Sequence, residues 1–79
     1  MRHFNWVSRG EHAFEVRVGQ DGPVQVFGTE VAAMRFAIDQ ARLLWVDEGI
    51  PTGVRWLNAE GDWQTAEVFG IEPPSYETP

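Results

Sequence analysis

Apolar and polar residues alternate along three short stretches in the first third of the chain, HFNWVS (3–8), HAFEVRV (12–18) and PVQVF (23–27). Successive side chains of a strand point to opposite faces, so alternation of this kind predicts three β-strands, each with one apolar face. The turns set which residues share a face. QDG (20–22) suits a three-residue hairpin loop with Gly22 in the left-handed position, which sets Val18 opposite Val24 and Val16 opposite Val26. A three-residue loop at RGE (9–11) sets Trp6 opposite Phe14 and Phe4 opposite Val16. Later, TGVRWLNAEGDWQTAEVF (52–69) predicts another hairpin around the loop AEG (59–61), pairing Val54 with Ala66 and Trp56 with Gln64.

Between these strands the period changes. VAAMRFAIDQARLLWV (31–46) predicts a helix, with Thr29 as N-cap, Glu30 at the positive end of the helix dipole, Gly49 as left-handed terminator and Pro51 just beyond. The expected fold is therefore α+β in the order βββαββ: a small antiparallel sheet with one helix packed on a face. It forms a single domain over residues 1–70. The last stretch, IEPPSYETP (71–79), is acidic, Pro-rich and aperiodic, and reads as a disordered tail.

The helix has more apolar side chains than one buried stripe requires. At about 100° per residue, Ala33, Ala37 and Ala41 form a narrow small-residue stripe with Phe36 and Leu44 at its edges. Val31, Met34, Ile38 and Trp45 fall largely away from it. In the registers above, Val16, Val18, Val54 and Trp56 point at the helix, whereas Val7, Phe27, Leu57, Trp63 and Phe69 point away. Large apolar side chains left in water forgo about 1.5–3 kcal/mol each, and monomers rarely expose several together. Either these residues complete a larger core, or Val31, Met34, Ile38, Trp45, Phe27, Leu57, Trp63 and Phe69 supply a protein-binding surface. The commonest such surface joins two identical copies about a two-fold axis.

Charge narrows the partners. Through residue 46, Arg2, Arg9, Arg17, Arg35 and Arg42 balance Glu11, Glu15, Asp21, Glu30 and Asp39, so the whole net charge of −6 lies in residues 47–79. Nucleic-acid affinity rests on Lys and Arg neutralising phosphates, so direct DNA or RNA binding is not expected. The chain has no cysteine, hence no disulfide and no thiolate metal site. MRHFNWVSRG lacks the apolar run of a signal peptide or membrane span, and a soluble cytoplasmic protein is the default expectation.

Catalytic chemistry finds little support. His3 and His12, at strand ends beside Arg9 and Glu11, fall short of a metal ligand set. Ser8 and Ser75 lack a nucleophile elbow and a His/acid partner. Asp47–Glu48 closes the helix and Glu60/Asp62 sits in a hairpin loop, where carboxylates are solvated. No phosphate-binding loop or dinucleotide fingerprint is present, so neither an enzyme nor a cofactor is expected. PPSY (73–76) matches the short PPxY pattern bound by WW domains, a pattern that arises easily by chance.

The layout resembles a family of short bacterial proteins, the domain of unknown function 2188 group. The similarity rests on the aromatic first hairpin FNWVSRGEHAFEVRV, a strand ending in Phe27, Thr29 followed by Ala33, Ala37 and Ala41, the turn AEGDW and the closing VFG (68–70). Members of that family are more basic and Lys-rich, whereas this chain has no Lys. The resemblance implies a layout and supplies neither an activity nor site residues. Two functional readings follow. The first is a small non-catalytic interaction module that self-associates through an apolar helix or sheet face. The second is an acidic inhibitor of anti-CRISPR type, encoded by a phage or mobile element. Its carboxylates 47, 48, 60, 62 and 67 would gather on one side to meet a basic nucleic-acid-handling complex.

Overall fold

The computed structural model describes residues 2–70; the tail expected over 71–79, with its PPSY segment, lies outside the described residues. The elements are β1 (His3–Arg9), β2 (Phe14–Val18), β3 (Val24–Phe27), α1 (Glu30–Glu48), β4 (Thr52–Leu57) and β5 (Trp63–Phe69). The fold is α+β: one five-stranded sheet with the helix laid across one face.

The sheet is mixed, which corrects the expectation of an antiparallel one. Its order is β3-β2-β1-β4-β5, and the central pair β1–β4 is parallel. Connectivity explains this. β3 runs in the direction of β1, and a single helix crossing returns the chain to the sheet in the direction it left, so β4 lies parallel to β1.

The helix ends follow the local chemistry of its caps. Thr29 has an extended backbone and its hydroxyl accepts from the Ala32 N–H at 3.1 Å. Gly49 is left-handed and donates its N–H to the Trp45 carbonyl at 2.9 Å. Ala33, Ala37 and Ala41 are fully buried against Val7, Val16 and Val54. Small side chains on the helix let it approach the sheet closely enough for two polar sheet residues to reach its backbone. Asn5 Nδ2 donates to the Ala37 carbonyl at 2.9 Å, and Thr52 Oγ1 donates to the Ala41 carbonyl at 2.7 Å. Both residues are buried, and these bonds offset part of the cost of removing them from water, Asn5 Oδ1 having no hydrogen-bond partner among the described residues.

Three registers differ from expectation, each by an odd number of residues, and an odd slip exchanges the two faces of a strand. In the first hairpin the loop spans 10–13, closed by the Gly10 N–H on the Ala13 carbonyl at 2.7 Å. Trp6 therefore pairs with Arg17 and Val7 with Val16, not Trp6 with Phe14 and Phe4 with Val16. Directly beneath a close-packed Ala stripe there is room for Asn5 and Val7 and none for Phe4 and Trp6.

In the second hairpin the chain turns at Gly19, with φ +74°, and Val18 pairs with Pro23. Gly22 is needed there for a different reason, since a Cβ on it would collide with the Val18 carbonyl oxygen. Val24 and Val26 consequently face the side of Arg17 and Glu15. In the last hairpin the expected Trp56–Gln64 pairing holds. A bulge at Ala66 then shifts the remainder, so Val54 meets Glu67 and Thr52 meets Phe69.

Candidate protein-interaction face

The sheet face turned away from the helix is covered by no element among the described residues. Its side chains follow from the registers as rows across the strands. One row runs Val24, Arg17, Trp6, Arg55 and Thr65 from β3 to β5. The next begins with Val26, Glu15 and Ser8 and continues with the pair Leu57 and Trp63. Towards the other end of the strands lie Phe4, Gly53 and Val68.

The aromatic side chains on this face contact one another. The Trp6 and Trp63 rings meet edge to face with centroids 5.1 Å apart, and Phe4 lies 5.8 Å from Trp6. Phe4 covers Gly53, where an added Cβ would come within 2.7 Å of its ring. The guanidinium of Arg55 stands 5.7 Å from the centroids of both Phe4 and Trp6, within cation–π range. Between the two long rows lies a depression of about 350 Å³ bordered by Trp6, Ser8, Glu15, Arg17 and Trp63. With two Arg and one Glu, this face is net positive in a chain of net charge −6.

The residues expected to form a binding surface are distributed over several places. Leu57 and Trp63 are on the open sheet face, Trp63 being 39% exposed. Val31 is 68% exposed near the start of the helix. Met34 and Ile38 are half-buried and pack against the core, bordering a shallow groove with Val31. Trp45 is half-buried with its ring over Gly70.

Phe27 and Phe69, together with Val7, were expected to point away from the helix and instead face it. Phe27 meets Phe36 at 5.1 Å, Phe69 packs on the core and Val7 is buried within it. The causes are the slip of the β2–β3 register for Phe27, the bulge at Ala66 for Phe69 and the longer first loop for Val7.

Sequence reasoning missed Phe4, Trp6, Val24, Val26, Val68, Arg17 and Arg55 as residues of the open face. A signal for the first two was present. Ala residues at spacings of four announce a close helix, and the strand beneath it must then offer small side chains. In FNWVS the alternating set that meets that condition is Asn5 and Val7, since the other contains Phe4 and Trp6, and this sends Phe4 and Trp6 outward.

The remaining candidate chemistry is dispersed. His3 lies at the start of β1 beneath Gly19, and His12 lies in the loop after it, exposed beside Glu11 at 3.7 Å. Among the described residues no three His, Asp or Glu side chains come together to hold a metal ion. Asp47 and Glu48 sit at the helix end that leads into β4, Glu60 and Asp62 in the loop after β4, and Glu67 within β5. The acidic residues therefore flank β4 at both ends and do not share one side. No helix of the described residues is long and apolar enough to cross a membrane. No protein-family model matches the chain, and comparison with curated proteins and with solved structures finds no match.

Proposed function

We propose that this protein is a non-catalytic interaction module that self-associates through the open face of its sheet. One observation carries the reading: among the described residues, a five-stranded sheet with a single helix leaves one entire face without a covering layer, and that face bears Phe4, Trp6, Trp63, Val24, Val26, Leu57 and Val68. Domains are stable as packed layers, and an apolar face of this extent is ordinarily covered by something. A cytoplasmic setting accords with a chain that has no cysteine.

The test is the solution mass by light scattering behind a sizing column, at low and high salt. Twice the 9.0 kDa monomer mass in both conditions is the expected result, because burial of apolar surface survives screening. A monomer at high concentration in both conditions overturns the reading.

A further inference from the structure

We infer that the partner on the open sheet face is a second copy docked sheet to sheet, about a two-fold axis that crosses the strands between the Trp6 row and the Ser8 row. The inference rests on the self-association proposed above and specifies its geometry. A two-fold axis in that position exchanges the rows: each residue of one row faces the residue on the same strand in the other row of the partner. Arg17 then faces the partner's Glu15, and Glu15 faces the partner's Arg17, giving two opposite-charge pairs from a motif that alone is only two charges on one strand.

Sizes match in the same exchange. Trp6 faces the partner's Ser8, Trp63 faces the partner's Thr65, and Val24 faces the partner's Val26, so each Trp meets a small side chain and the two Val meet each other. The depression between the rows, bordered by Ser8, Glu15 and Arg17, is where the partner's Trp6 arrives. Arg55 keeps its charge between the rings of Phe4 and Trp6 and faces the partner's Leu57.

Area is sufficient for a small stable interface. Five strands about 4.8 Å apart and some 20 Å long give a plan area of roughly 450 Å² per copy, before counting the relief of upright side chains. Two such faces give roughly 900 Å² in plan, and the relief of their side chains brings the buried area towards the lower end of specific interfaces, about 1,200 Å² in total, so a weak dimer with a dissociation constant on the order of micromolar is expected.

Charge reversal tests the axis. Glu15→Arg places two Arg opposite each other at both pairs, and Arg17→Glu places two Glu there. Each variant alone is expected to weaken dimerisation by at least about tenfold. Mixed in equal amounts, the two variants are expected to assemble with each other, because every facing pair is then Arg with Glu. The double reversal Glu15→Arg with Arg17→Glu is expected to restore the homodimer.

Both positions are exposed, and far-UV circular dichroism verifies the fold of each variant. Should a single variant not fold, the double reversal carries the test, since it keeps the charge of the strand. A wild-type dimer that neither reversal weakens, reversed variants that stay apart on mixing, or a double reversal that remains monomeric overturns the inference while leaving self-association standing. A monomeric wild type instead overturns the proposal beneath it.

Discussion

The two faces of this sheet place their bulk differently. Directly beneath the helix stand Asn5, Val7, Val16, Thr52 and Val54, small residues under a stripe made of Ala, with Phe14, Phe27, Trp56 and Phe69 around them. Away from it stand Phe4, Trp6 and Trp63 with Arg17 and Arg55. Both faces contain polar atoms, handled differently. On the inner face Asn5 and Thr52 spend their donors on helix carbonyls, which fixes where along the sheet the helix sits. On the outer face Arg55 is held by aromatic rings. The difference teaches that the distance to the neighbouring layer selects side-chain size: directly beneath the close-packed helix bulk is excluded and displaced to its margins, where Phe27, Trp56 and Phe69 pack, whereas on the outer face bulk stands at the centre of the sheet.

The largest expected effect comes from charging the inner face. Asn5→Asp is nearly isosteric but turns a donor towards the Ala37 carbonyl into a buried carboxylate, and a loss of about 3–5 kcal/mol at neutral pH is expected. Burial raises the folded-state pKa of the introduced carboxyl above its unfolded value. Relative stability is therefore retained below the unfolded pKa and lost as pH rises through the folded one; urea melts across acidic and neutral pH check this.

Next in size, Ala37→Leu forces the helix off the sheet and is expected to cost about 1–3 kcal/mol. Thr65→Leu, which enlarges an outer-face side chain by one heavy atom, is expected to change stability by less than about 0.5 kcal/mol under conditions where the protein is monomeric. Equal losses in thermal melts of the two variants would erase the contrast between the faces. Trp63→Glu sharpens it in another way: the fold persists while the dimer dissociates, with the dissociation constant rising at least about tenfold. The smallest effect is local. An added Cβ meets no atom at Gly61 or at Gly28, so backbone conformation alone separates them: Gly61→Ala, at φ +87°, is expected to cost about 1 kcal/mol, and Gly28→Ala, where φ is not positive, costs less.

That last pair also marks what was legible in the sequence. Gly61 closes a three-residue loop in which Asn58 Oδ1 accepts from the N–H groups of Glu60 and Asp62, each at 2.9 Å. A Gly at the end of a short loop with Asn just before it has a single simple reading, and the register beside it is the expected one. The helix was legible for the same reason, since Thr29 and Gly49 act through local geometry. The earlier hairpins were not. GEHA and GQDG each begin with Gly, and the competing registers differ by bonds that any backbone can make. The choice between them is made by the helix, far away in sequence. Ala66 was illegible too: nothing about an Ala in a strand signals a bulge, yet it alone decides that Phe69 faces the core and Val68 the solvent. Face assignment failed where the deciding contact was remote, and most of the open sheet face went unrecognised with it.

The parallel seam between β1 and β4 has a consequence in time. Arg2, beside the start of β1, donates to the carbonyl of Thr52, 50 positions further along the chain, and β1 pairs with β4 over its central length. Pairings so distant pay the entropy of closing a long loop before they return any stability. The three-stranded first half is therefore expected to take its final register only once the helix and the last hairpin have formed.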